Sequence, residues 1–481
     1  MSIGSDCLFS PTGTIPLSEE DINNRYKDAT VVLTLVVPVR IDDLDLIDVA
    51  TCSAFFIEGG YIVTASHCIL HEVFPDPFRV PPPKDIFFSR QGTFFITVFN
   101  VNESGRAFTY EATLIGVDGA ADIAVLIIDP RVLWNTTLPQ IQRVPFFEIA
   151  NSRDSKPGDP VYTIGNSLAQ DFRSFDAGII RNERGFFVSG FCPVEMLIYD
   201  LSIQQGNSGG PVINQYGQVI SVNTGGIFSS GSIRQLNVGT SSFFFEYPLR
   251  VLVDAANGIL NPHLEIIEDF YGNYYRYIKG FLGILLYFVR DPLAGVGLNF
   301  SFPFGCFLTT NVVVPLSEDF VDKELHGIQV AAVSGDPNNC DNLNCPGSCP
   351  LLPSDVPSEF LGIIEPNDII TQINGLEIGA VPPQIHPGLV TWKLLPGNPV
   401  TLTYKKASEK FAITHTVTKP LIPYPTAYDH LFGSGVIFEE GEKKIFKPRL
   451  PSKLLGKNKI EPEKMNEIKA IKYGLIKKNL V

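Results

Sequence analysis

A chain of 481 residues with 44% hydrophobic and 18% charged side chains has ample core material, and its length exceeds one typical domain, so about two or three are expected. Its formal net charge of −14 argues against nucleic-acid binding by the body of the protein, and eight cysteines are too sparse for a disulfide scaffold. The apolar runs are too short to span a bilayer, and the N-terminus lacks the basic region, apolar core and cleavage site of a secretory leader, so the expectation is an intracellular or virion-packaged protein.

Residues 1–30 read as an N-terminal arm, and strand-like runs separated by turn signals dominate from Val31 to Asn223. The apolar run Tyr61-Ile62-Val63-Thr64 follows a Gly59-Gly60 turn and leads into Ala65-Ser66-His67-Cys68. A Pro-rich surface loop follows at 75–84. Gly119-Ala120-Ala121-Asp122 then precedes the apolar run from Ile123 to Ile128. Gly206-Asn207-Ser208-Gly209-Gly210-Pro211 comes before the strand-like Gly217 to Thr224. Residues 225–247 read as a long loop, in which Phe243-Phe244-Phe245 is either core or an exposed patch.

Residues 31–255 form the first large unit, 256–275 a linker and 276–419 a second unit with a Cys-containing insertion at 334–362. A basic tail fills 420–481: residues 443–481 hold 12 Lys/Arg and 3 Asp/Glu, a net of +9, which leaves the rest of the chain at −23. The tail reads first as a solvated extension, with a short helix around 462–479, docking on the acidic body. Contact with nucleic acid or an anionic membrane surface is the weaker alternative.

His67, Asp122 and Ser208 have the chemistry of an activated nucleophile. A serine hydroxyl needs a base within hydrogen-bond reach, and the base needs a third group to hold its tautomer. Ser208 is the candidate nucleophile, His67 the base and Asp122 the orienter. The amides of Gly206 and Ser208 are the candidate oxyanion donors, because a glycine-rich backbone can turn sharply enough to aim two N–H groups at one point. Gly209 and Gly210 are expected to leave room for a substrate backbone. Alone, each residue has a plainer reading: a turn serine, an aspartate opening a strand, a core histidine. Together and in this order they favour catalysis. His71, His263, His326, His386, His415 and His430 read as solvent-exposed.

The order His…Asp…Ser resembles that of the chymotrypsin-type β-barrel proteases. Further segments are similar to the HtrA/Deg family of trypsin-like serine proteases. Pro157 to Asn166 resembles the strand entering the activation-loop region. Ser174-Phe175-Asp176-Ala177-Gly178-Ile179-Ile180 resembles the "TSGIVS" strand, and Gly217 to Thr224 the "GEVIGINT" strand. The resemblance implies a mainly β protein: a chymotrypsin-like double β-barrel, then a PDZ-like β-sandwich domain, then the basic tail. Cys52 and Cys68 depart from the HtrA pattern. They resemble a pair that is disulfide-bonded in secreted chymotrypsins, whereas intracellular residence would keep them reduced. In trypsin-like proteases the position six before the nucleophile lies at the base of the S1 pocket. Here it is Ser202, with Ile203 as an apolar wall, which implies small or medium aliphatic P1 residues.

In the second unit, Tyr277 to Ile284 resembles the PDZ carboxylate-binding loop, with Phe281, Leu282, Gly283 and Ile284 as ligand-contacting positions. Gly327 to Val333, Ile364 to Gly375 and Val400 to Tyr404 read as its later strands, with Asn374-Gly375 as a tight turn. Cys340, Cys345 and Cys349 do not have a standard zinc spacing. A disulfide-bearing or reduced loop is preferred there, and a zinc site completed by Cys306 is the alternative. No metal or cofactor is expected.

The leading functional expectation is a serine endopeptidase acting on protein or peptide substrates, with a C-terminal peptide ligand on the PDZ-like domain. The family resemblance extends this to a homotrimer. The alternatives are a latent protease fold serving as a peptide-binding chaperone or scaffold, and a maturation protease tethered by its tail.

Overall fold

The computed structural model describes residues 15–41, 44–69, 86–88, 93–100, 106–119, 121–128, 145–167, 173–189, 192–204, 206–227, 236–269, 272–288, 299–301, 307–309, 327–333, 357–378, 390 and 394–423. The Pro-rich loop, Cys306, Cys340, Cys345, Cys349 and the basic tail from residue 424 lie outside them.

Seven strands build the first barrel: β1 Thr30–Ile41, β2 Leu44–Phe56, β3 Tyr61–Thr64, β4 Ile86–Phe88, β5 Thr93–Asn100, β6 Arg106–Asp118 and β7 Ile123–Ile128. The ring β5-β1-β2-β3-β7-β6 closes because β6 pairs with both β5 and β7, and the short β4 adds to β1. Closure removes the free edges that an open sheet would expose. Period-two burial is visible in β5, where Phe94, Ile96 and Val98 are buried and the residues between them half-buried. β7 and β3 are buried almost throughout, as strands in the heart of a barrel must be.

The second barrel uses β8 Pro160–Gly165, β9 Ser174–Ser189, β10 Cys192–Tyr199, β11 Pro211–Asn214, β12 Val219–Ile227 and β13 Leu236–Ser241, closed in the order β10-β13-β12-β11-β8-β9. Val161, Leu197, Tyr199, Val212 and Ile220 fill it. Two closed six-stranded barrels in one mainly β chain are the expected double-barrel architecture.

The described part of the N-terminal arm is not a free extension. It holds helix α1, Glu19–Tyr26, capped by the Ser18 hydroxyl accepting from the Asp21 amide. Ile22 is fully buried, and Tyr26 stacks on Phe147 with ring centroids 4.8 Å apart. The Phe-rich stretch also differs from the expected loop: β13 passes straight into helix α2, Ser242–Ala256. Phe244 and Phe245 enter the main core with Leu249 and Leu252, while the Arg153 guanidinium lies 3.8 Å over the Phe243 ring. The core alternative therefore holds for two of the three phenylalanines.

Residues expected as a linker form a hairpin instead, β14 Leu264–Asp269 and β15 Gly272–Tyr277, with β15 running parallel to β6 and extending the first barrel's sheet. Just beyond it, the buried Lys279 ammonium pairs with the buried Asp118 carboxylate at 3.3 Å. His263, expected at the surface, is buried: its ring stacks on Tyr277, and its Nδ1 lies 2.8 Å from the Ile278 carbonyl oxygen.

The remaining strands are β16 Gly280–Phe281, β17 Ile284–Phe288, β18 Asn299–Ser301, β19 Phe307–Thr309, β20 Ile328–Val333, β21 Ile369–Ile373, β22 Leu376–Glu377, β23 Pro399–Lys405, β24 Thr414–Pro420 and β25 Ile422–Pro423. β17-β20-β21-β23-β24 form an antiparallel sheet, with β22 hairpinned onto β21. Asn374 and Gly375 both have positive φ (51° and 76°), as a two-residue hairpin turn requires. The sheet has its own core of Leu282, Ile284, Phe360, Ile370, Val400 and Leu402 among others.

Candidate active site

The register of two strands brings His67 to Asp122. β3 and β7 pair antiparallel with Thr64 opposite Ala124, so the turn three residues beyond Thr64 meets the residue two before Ala124. The His67 Nδ1 lies 2.8 Å from Asp122 Oδ2 and 3.0 Å from Oδ1. The same Oδ1 accepts the His67 backbone N–H at 3.0 Å and the Ser66 hydroxyl at 2.9 Å. Asp122 is 5% exposed and sits in the left-handed region at φ 52°. That strain, in a residue that is not glycine, is the kind found where function fixes the backbone.

The contacts with Asp122 govern the charge state of the His67 imidazole. Burial by itself lowers its pKa, but the charge of Asp122 and the hydrogen bond to it together overcome this and leave the pKa above the ordinary 6.5. With Nδ1 facing the carboxylate, Nε2 is the nitrogen left for the nucleophile.

The nucleophile loop belongs to the second barrel but is fastened to the first. Ser53, on β2, is fully buried and holds the loop at several points. Its N–H donates to the Ser208 carbonyl at 2.9 Å, its hydroxyl donates to the Gly206 carbonyl at 2.7 Å, and the Asn166 N–H donates to that hydroxyl at 2.8 Å. On the other side, the Gly209 amide donates to the Asn223 carbonyl at 2.8 Å. The Asn223 side chain accepts from the buried Tyr199 hydroxyl at 2.7 Å and donates to Thr163 at 3.0 Å. Sequence reasoning missed Ser53, Ser66 and Asn223, because each acts through a pairing between segments far apart in the chain.

Gly206 has φ 94°, and among the described residues neither its amide nor that of Ser208 donates a hydrogen bond. The Ser208 hydroxyl is likewise without a hydrogen bond among the described residues. The role expected for Gly209 and Gly210 needs correction. A Cβ on Gly209 would lie 2.1 Å from Thr64 Oγ1, and one on Gly210 would lie 3.1 Å from Ser53 Cβ. These glycines make room for the first barrel, not for substrate.

Ser202 is exposed, and its amide donates to the Asp176 carboxylate, which also accepts the Ala177 amide at 3.0 Å. Ile203 is 6% exposed and packs into the core of the second barrel. In the third sheet, Phe281 lies on β16 opposite Ile422, and Ile284 opens β17 opposite Val333. Between them the Leu282 carbonyl accepts the Ser358 hydroxyl at 2.7 Å, and Gly283 takes φ 67° against Ser358.

Residues 52–222 match the family described as "Trypsin-like peptidase domain". A "Probable periplasmic serine endoprotease DegP-like" from Pseudomonas savastanoi pv. phaseolicola is 32% identical over 184 residues, covering 38% of this chain and 32% of the relative. A protein of the same description from Rhizobium meliloti is 28% identical over 182 residues, covering 36% and 32%. The chain thus spans about a third of the length of these relatives. Among solved structures, "HtrA-type protease AlgW with tripeptide" aligns over 85% of this chain and 98% of its own, with 18% identity and a TM-score of 0.47.

The expectation of an intracellular protein is overturned. The relatives are named as periplasmic, and Cys52 and Cys68 are joined in a disulfide, a bond that persists in oxidising compartments. No helix among the described residues is long and apolar enough to cross a membrane. Residues 52–222 thus match a trypsin-like peptidase domain, and over 184 residues the chain is similar to a DegP-like serine endoprotease.

Proposed function

We propose that the protein is a serine endopeptidase in which His67, Asp122 and Ser208 form the catalytic triad. The observation that carries this is the His67–Asp122 pair, with its carboxylate fixed by three donors beside a loop in which the Gly206 and Ser208 amides donate to none of the described residues. His67 Nε2 takes the proton of Ser208 Oγ as the oxygen attacks the scissile carbonyl carbon. The carbonyl oxygen, now negative, is held by the Gly206 and Ser208 N–H groups. The protonated imidazole then gives its proton to the leaving amine as the C–N bond breaks, leaving an acyl-Ser208. Water, deprotonated by His67, attacks that ester and releases the acid, restoring the hydroxyl.

Ser202 places no carboxylate of its own at the base of the S1 pocket, and the nearby Asp176 carboxylate is engaged by two backbone amides. Small or medium aliphatic P1 residues fit this better than Lys or Arg. The third sheet is read as a PDZ-like domain. Its Phe281–Ile284 turn would take a peptide's terminal carboxylate on backbone amides, with the peptide extending along β17. Support for this is the positive φ of Gly283 and the position of β17 at one end of the sheet order.

The test is digestion of an unfolded protein such as casein by the wild type and by Ser208→Ala. Cleavage by the wild type alone is expected. Equal cleavage by Ser208→Ala would overturn the assignment, and binding of casein without cleavage by either would favour a peptide-binding scaffold.

A further inference from the structure

We infer that Ser66 is a positioning residue of this site, fixing the Asp122 carboxylate through its hydroxyl so that Oδ2 keeps the shorter contact to the His67 ring; the inference rests on the triad reading above. Ser66 is 3% exposed, and its Oγ donates to Asp122 Oδ1 at 2.9 Å. Oδ1 also accepts the His67 amide at 3.0 Å. Two donors therefore hold Oδ1, which also lies 3.0 Å from Nδ1, and Oδ2 makes the shorter contact to Nδ1, at 2.8 Å.

A carboxylate on a short side chain turns about a soft torsion. The backbone amide alone pins one oxygen at one point. The second donor, arriving from the adjacent residue, fixes the plane of the carboxylate and with it the plane of the imidazole. The backbone is committed to the same end, since Asp122 is held at φ 52°. Ser66 is thus the one side chain other than His67 that reads the orientation of Asp122 among the interactions of that carboxylate.

The hydroxyl has an electrostatic effect as well. It donates to the ionised carboxylate and so takes up part of the charge that would otherwise act on His67. Against the lowering effect of burial, the charge of Asp122 raises the imidazole pKa. Asp118, at the end of β6 on the same turn, is paired with Lys279 and accepts the Ala121 amide at 3.3 Å. Removing the Ser66 hydroxyl should therefore raise the His67 pKa further, while loosening the carboxylate should slow the chemistry. A purely structural serine would do neither.

The experiment compares wild type, Ser66→Ala and Ser66→Thr by NMR titration of the His67 ring, assigned with His67→Gln, beside steady-state kinetics and thermal melts. Ser66→Ala should titrate at higher pH than wild type and lose about tenfold in kcat at unchanged KM, and Ser66→Thr should restore both. An unchanged His67 titration in a folded Ser66→Ala protein would overturn the inference. The two readings separate cleanly. A shifted titration in a protein with no Ser208-dependent turnover would sink the protease assignment and leave the hold of Ser66 on Asp122 standing.

Discussion

Asp122 occupies a backbone conformation that costs a non-glycine residue about 1–3 kcal/mol, and the surrounding donors keep it there. Its charge is the reason the imidazole pKa lies above 6.5, so proteolysis should fail in acid with a midpoint above that value, when His67 becomes protonated and cannot act as a base. Asp122→Asn removes the charge and offers the wrong hydrogen-bonding group. It should cut kcat by about 10⁴ and shift the acid limb to lower pH, as a pH–rate profile would reveal. Ser53→Ala releases the Gly206 carbonyl and the Asn166 amide from one hydroxyl. Because it acts on the oxyanion loop and leaves the donors themselves in place, kcat should fall by about 10–100-fold, with KM little changed. The three candidate triad residues stood out in the sequence because each lies in a local pattern of turn and apolar run. Ser53 and Ser66 lie in equally ordinary patterns, and their roles arise only when β2, β3 and β7 are side by side. Nothing in their immediate neighbours distinguishes them from any serine at a strand end.

At the scale of elements, the antiparallel register of β3 and β7 delivers His67 to Asp122, and the disulfide ties the histidine turn back to β2. Cys52 and Cys68 are 16 residues apart. Replacing both with serine should lower the unfolding free energy by about 3 kcal/mol, the loop-closure term for a ring of this size, measurable by denaturant titration. The Lys279–Asp118 pair is nearly inaccessible to water. Lys279→Met strips the buried carboxylate of its cation and should destabilise by about 3–5 kcal/mol, read as a lower melting temperature. Elements whose partners lie close in the chain were the readable ones, such as the Asn374-Gly375 hairpin between β21 and β22. Helix α2 was hidden because its Phe-rich start continues an apolar strand without a turn signal and Pro248 reads as a helix breaker, although Phe244, Phe245, Leu249, Leu252 and Ala255 recur at helical spacing. The β14–β15 hairpin read as a linker because its distant partner, β6, gives it a sheet to join.

Over the whole molecule, two closed barrels meet at a nucleophile loop that neither could hold alone. Ser53 and Thr64 come from the first, Asn223 from the second, and Gly209 has no side chain because the barrels approach so closely there. The strand-rich character was readable from the runs between turn signals, the double barrel came from the family resemblance, and a third sheet follows where a separate domain was expected. The seating of α1 against the body was not readable, since it depends on Ile22 and Tyr26 finding a surface assembled from remote residues. The measurement that tests the account most directly is covalent labelling with a fluorophosphonate serine probe. Wild type, Ser208→Ala and His67→Ala would be compared with and without casein. Labelling of the wild type at Ser208 and of neither variant is expected. Absence of labelling in the folded wild type under both conditions, or labelling that survives Ser208→Ala, would contradict it.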